Sequence, residues 1–197
     1  MSYLRVKICG ITRLEDALHA EDAGADAIGF IFVPGTKRAV PRGNAAAISH
    51  GLGPLIARVG VFRNATLEEI LTTLREVKLS AVQLHGIEGD DFAATVAVHA
   101  PVIRAVNHAK ALPALDTLLI DHLEGGSGQA FDWDALETTQ LRGQRWLLAG
   151  GLTPDNVARA VAQLRPWGVD VASGVESAAG IKDHAKITAF IAAARGL

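Results

Sequence analysis

Apolar residues along this chain fall in short dense runs, and the stretches between them carry apolar positions at helical spacing. The dense runs predict strands over 5–10 (RVKICG), 26–32, 56–62, 81–86, 102–106, 117–121, 145–150 and 168–173. After the first strand, Leu14, Ala17, Leu18 and Ala20 line one face of a predicted helix, with Thr12 as its N-cap and Gly24 as its stop. Further helices are predicted over 43–51, 64–77, 90–100, 132–141, 153–164 and 183–195. Thr66 and Glu69 have capping-box spacing, and Thr153 with Pro154 reads as an N-cap followed by a first-turn proline. Only a short, proline-interrupted connection follows 102–106.

The strands are nearly all apolar, as expected of a parallel sheet covered by helices on its outer face. Eight strand-then-helix units in series predict an α/β fold, a compact (β/α)8 TIM barrel spanning residues 1–197 as a single domain. At 197 residues the chain is shorter than the roughly 250 typical of that fold, which leaves no room for an inserted domain. An open flavodoxin-like sheet of about five strands is the alternative, and it leaves strands unplaced.

Composition narrows the function classes. A net charge of −2 argues against nucleic acid or an anionic membrane as partner, while leaving room for a site that binds a small anion. The single cysteine, Cys9, forbids an internal disulfide and offers no cysteine-rich metal cage. No apolar run reaches the length of a membrane span, and the first residues enter a strand pattern at once; both point to a cytoplasmic protein.

In such a barrel the chemistry sits at the C-terminal strand ends. Those ends carry Cys9, His85, Asp121, Gly150 and Ser173. Gln83 and His85 share the strand face opposite apolar Val82 and Leu84, so they point inward, either to a ligand or as a hydrogen-bonded plug. Lys7 and Cys9 share a face by the same alternation, and a buried lysine needs a partner such as Asp170. Cys9 reads either as a small buried filler or as a base whose thiolate is favoured by amides at the following helix start. Asp121 precedes a long glycine-rich loop rather than a helix, which favours a functional acid over a cap. The segment 125–128 (GGSG) within that loop reads as a lid. Gly150, Gly151, Ser173 and Gly174 lie in glycine-rich loops after the seventh and eighth strands, where barrels of this kind bind a phosphate through backbone amides. Arg38, in the loop after the second strand, is either a surface charge or a fork for a substrate carboxylate.

Taken in order, KICGIT, DAIGFIF, the KR of the second loop, VGVF, VQLHG, LLID with GGSGQAFDW, LAGGLTPDNV and GVDVASGVE with GIKD resemble the N-(5′-phosphoribosyl)anthranilate isomerase family across nearly the whole chain. The resemblance implies an Amadori rearrangement in tryptophan biosynthesis, converting the aminoaldose phosphoribosylanthranilate to 1-(2-carboxyphenylamino)-1-deoxyribulose 5-phosphate. It implies Cys9 as general base, Asp121 as general acid and Arg38 as the group holding the anthranilate carboxylate. It also implies a phosphosugar substrate, no metal, no organic cofactor, and a monomer. Arg63 departs from the pattern, since similar sequences often have an apolar residue there, and it brings a positive charge near the mouth. Two alternatives stand beside this: the histidine-pathway aminoaldose–ketose isomerase, whose two-phosphate substrate calls for a second glycine-rich strand end in the first half of the chain, and a non-catalytic phosphate-ligand binding barrel.

Overall fold

The structure, a computed structural model, describes residues 3–106, 117–121, 141 and 144–197. Eight parallel strands, β1 (Arg5–Cys9), β2 (Ala27–Ile31), β3 (Ala57–Phe62), β4 (Ala81–Leu84), β5 (Val102–Val106), β6 (Thr117–Ile120), β7 (Trp146–Leu148) and β8 (Gly168–Val171), form a closed barrel. Closure is made by β1 against β8, with Lys7 opposite Asp170 and Ile8 opposite Val171. That pairing excludes the open-sheet alternative, because no strand edge is left over. Helices α1 (Leu14–Asp22), α2 (Arg42–His50), α3 (Leu67–Val77), α4 (Asp90–Ala97), α5 (Val157–Leu164) and α6 (His184–Arg195) lie between or after the strands. The helix expected over 132–141 and the lid expected at 125–128 fall outside the described residues, apart from Leu141.

Alternation along the strands separates two interiors. Val6, Ile8, Ile28, Phe30, Leu118, Ile120, Leu148, Val169 and Val171 face outward into the core shared with the helices. Val82 and Leu84 do the same beneath α3 and α4. Residues of opposite parity point into the barrel. On the β6–β7 side these are Leu119, Leu147 and Ala149, a small apolar cluster. Lys7, Cys9, Gln83 and Asp170, from β1, β4 and β8, are also buried. The barrel interior is therefore apolar along β6 and β7 and at Val59 and Val61 of β3, and polar where β1, β4 and β8 carry a charged or amide residue at an inward position.

Several element boundaries differ from the sequence reading. The N-cap of α1 is Arg13 rather than Thr12, whose hydroxyl instead donates to the Gly180 carbonyl. Helix α5 begins at Val157 after Asn156, not at Thr153–Pro154, because the Asn156 side chain folds back to accept from the Thr153 N–H at 2.8 Å. The capping box of α3 is as expected, with Thr66 and Glu69 exchanging side-chain and backbone bonds. The segment after β8 was expected to be a loop. It contains a single 3-10 turn (Ser173–Val175) and a two-stranded antiparallel hairpin, β9 (Glu176–Ala178) with β10 (Ile181–Lys182).

Candidate active site

In the middle of β1, Lys7 is buried with its ammonium 2.7 Å from the Asp170 carboxylate. The Cys9 side chain lies within electrostatic reach of that ammonium. Burial pushes the Lys7 ammonium down, but Asp170 and Cys9 outweigh it and hold Lys7 charged above its usual range. The Cys9 thiol is pushed up, first by burial, while Lys7 and Lys182 pull it down and Asp170 opposes them. The expected help from amides at a helix start is not what governs this thiol. Helix α1 begins only at Leu14, and the cationic partners are Lys7 and Lys182. Room for the cluster comes from β2. A Cβ at Gly29, which pairs with Cys9, would lie 2.7 Å from Cys9 Sγ and 3.1 Å from Lys7 Nζ.

At the end of β4, the Gln83 amide nitrogen donates to His85 Nδ1 at 3.1 Å. This leaves His85 Nε2 toward Asp121, 3.6 Å from Oδ2. Burial lowers the His85 pKa most strongly, Asp121 raises it, and Arg63 lowers it again. Arg63, the departure noted in the sequence, thus acts on a residue of the barrel mouth. His85 also lies in the electrostatic fields of Asp170 and Lys7. Asp121 follows directly on β6. The Gln83 side-chain oxygen is buried without a hydrogen-bond partner among the described residues.

Arg38 is not a loose surface charge. Its Nε and Nη2 donate to the two carboxylate oxygens of Glu176 at 2.8 and 2.7 Å, and its stem crosses Gly10 so closely that a Cβ there would sit 2.8 Å from Arg38 Cδ. Gly10 also has φ +74, a conformation that disfavours other residues. The glycine after Cys9 is therefore required by the passage of Arg38 over the end of β1. Glu176 and Lys182 were missed from the sequence. Their signal was hidden because GVE and IKD read as loop, and only the β9–β10 register sets them side by side.

The two glycine-rich loops meet. A Cβ on Gly174 would lie 1.8 Å from the Leu152 carbonyl oxygen, so the turn after β8 is seated on the loop after β7. Gly150 and Gly151 have φ of +85 and +64. Their N–H groups meet no acceptor among the described residues, which leaves them available to an anion. Asn156, which sequence reasoning also missed, ties this loop by donating to the Gly151 carbonyl at 2.9 Å. Among the described residues, no group of three His, Cys, Asp or Glu side chains is placed to hold a metal ion, and no helix is long and apolar enough to cross a membrane.

Comparison with known proteins identifies the family and the fold. Residues 6–193 match the family model described as N-(5′phosphoribosyl)anthranilate (PRA) isomerase. The N-(5′-phosphoribosyl)anthranilate isomerase of Deinococcus radiodurans is 46% identical over 204 residues, covering 98% of this chain and 97% of that protein. A crystal structure of phosphoribosyl anthranilate isomerase in complex with reduced 1-(o-carboxyphenylamino)-1-deoxyribulose 5-phosphate superposes with a TM-score of 0.88 at 40% identity, covering 99% of this chain and 100% of that one. A structure of monomers generated from the dimeric enzyme of Thermotoga maritima matches with the same TM-score of 0.88 and 40% identity, again over 99% and 100% of the two chains.

Proposed function

This chain belongs to the N-(5′-phosphoribosyl)anthranilate isomerase family of tryptophan biosynthesis, and from that premise we propose that it performs the aldose–ketose isomerisation with Cys9 as general base and Asp121 as general acid. The family match sets aside the histidine-pathway isomerase and the non-catalytic barrel. The observation that carries the assignment of roles is the composition of the mouth: one thiol beside a buried ammonium, and one carboxylate beside a histidine whose protonated form burial disfavours.

The chemistry follows from those environments. Ring opening needs a proton on the furanose oxygen while the anilino nitrogen pushes from C1′. Asp121, whose carboxylate lies 3.6 Å from His85 Nε2, is the residue we assign to deliver that proton. The resulting iminium acidifies the C2′ hydrogen. Cys9 takes it as thiolate, and the Lys7 ammonium against its sulfur offsets the cost of a buried anion. The enolamine then tautomerises to the ketone. Arg38 holds the anthranilate carboxylate, Gln83 and His85 line the substrate path, and Gly150, Gly151, Ser173 and Gly174 hold the phosphate through backbone N–H groups.

We further read residues 1–197 as one barrel domain acting as a cytoplasmic monomer, because the eight strands close into a barrel within the chain and Cys9, the single cysteine, must stay a free thiol. Sedimentation at micromolar protein tests the assembly state, and a stable dimer overturns it. The activity itself is tested by following loss of phosphoribosylanthranilate fluorescence with the purified protein, or by complementing a tryptophan auxotroph that lacks this isomerase. No turnover in either assay sinks the reading.

A further inference from the structure

We propose that Glu176 is a positioning residue for substrate recognition: clamped from behind by Lys182, it holds the Arg38 guanidinium in the one orientation that presents the remaining Nη1 edge to the ring carboxylate of the substrate. This rests on the reading of Arg38 as the carboxylate clamp. The geometry is over-determined. Glu176 Oε1 accepts from Arg38 Nε at 2.8 Å, from Lys182 Nζ at 3.0 Å and from the Gly180 N–H at 3.3 Å, while Oε2 accepts from Arg38 Nη2 at 2.7 Å. Among the described residues no acceptor meets Arg38 Nη1.

The mount behind this carboxylate is rigid. Lys182 Nζ also donates to the Ala172 carbonyl at 3.0 Å, and the Lys182 N–H donates to Asp16 of α1 at 3.1 Å. Lys186 of α6 donates to the Glu176 carbonyl at 2.9 Å. The hairpin is thus tied to α1, to α6 and to the end of β8. Glu176 and Lys182 are both buried, unlike the exposed ion pairs that contribute little. A bidentate fork on a buried carboxylate removes most of the rotamer freedom of an arginine before any ligand arrives.

The site is also placed to matter. Arg38 and Lys182 both lie within Coulombic range of Cys9, so the clamp and the proposed base share one mouth. Two cations around one carboxylate leave the cluster with a net positive charge for an anionic ligand. Removing Glu176 does not raise that attraction by a full charge, because Lys182 is already pulled down by burial and loses the partner that keeps it protonated. The loss of orientation therefore dominates.

The test uses two ligands: reduced 1-(o-carboxyphenylamino)-1-deoxyribulose 5-phosphate and its analogue without the ring carboxylate. By titration calorimetry, Glu176→Gln should weaken the carboxylated ligand about tenfold and shift the other by less than about twofold, with KM raised and kcat nearly unchanged. In an Arg38→Ala background, Glu176→Gln should add no further loss. Equal weakening of both ligands overturns the proposal and makes Glu176 a structural clip. Unchanged affinity for the carboxylated ligand overturns it as well. If Arg38→Ala alone spares that ligand, the clamp reading itself falls and takes this one with it. Should Glu176→Gln fail to fold, Glu176→Asp keeps the charge but shortens the reach, and the same selective loss is expected.

Discussion

Lys7, Cys9 and Asp170 show how one inward strand position sets the chemistry of the next. The Lys7–Asp170 pair is buried, so deleting one partner leaves a charge with nothing to answer it. Lys7→Met should destabilise the protein by about 3–5 kcal/mol in urea melts, and Lys7→Met with Asp170→Leu should recover much of that. Cys9→Ser and Asp121→Asn should each lower kcat by about 10²–10⁴-fold while changing KM far less. Near-normal turnover by either purified variant removes that residue from its role. Because burial raises the Cys9 thiol, kcat/KM should climb as pH moves into the alkaline range and the thiol ionises. A flat profile there would speak against a thiolate base.

Elements contribute through their junctions more than through their interiors. The capping box of α3 satisfies amides at a helix start that faces solvent, and Thr66→Ala should cost about 1 kcal/mol of stability without touching activity. The junction between the β7 and β8 loops is different, because backbone meets backbone there. At Gly174 any side chain would press on the Leu152 carbonyl, and neither partner is a flexible tip that swings away. Gly174→Ala should therefore separate the two loops proposed to hold the phosphate and raise KM by roughly one to two orders of magnitude. An unchanged KM would place the phosphate elsewhere.

At the scale of the whole molecule, three titratable groups, buried Asp16 and Glu176 and partly buried His85, bias stability toward neutral pH. Burial pushes Asp16 up, but Arg13, the Lys182 N–H and His184 outweigh it, so its pKa lies below the usual range. Glu176 is likewise held low against burial by Arg38 and Lys182. A depressed acid stabilises the fold above its unfolded pKa, and that contribution is lost as pH falls through the folded value. His85 is depressed too, which for a base means that the fold resists its protonation. Stability should begin to fall below about pH 6.5 as unfolded chains take up that proton, and more steeply below about pH 4.5 as Glu176 and Asp16 are forced to protonate. Thermal melts across pH 3–8 check this, and a flat Tm between pH 6.5 and pH 3 would contradict it.

Periodicity was enough to mark the strands of this protein, and the β1–β8 pairing closed them into a barrel. A strand buried on both faces must be apolar nearly throughout, so eight short apolar runs separated by amphipathic stretches mark eight parallel strands. The same alternation placed Lys7, Cys9, Gln83 and His85 on inward faces, and the need of a buried lysine for a partner pointed to carboxylates such as Asp170. Tertiary structure decided the rest, because the remaining facts are contacts between distant segments. Arg38 acquires a role only when Glu176, far along the chain, meets it across Gly10. Gly29 is needed only because Cys9 Sγ and Lys7 Nζ lie over it. The thiol of Cys9 is governed by the burial and the ammonium groups around it, and local order along the chain carries neither.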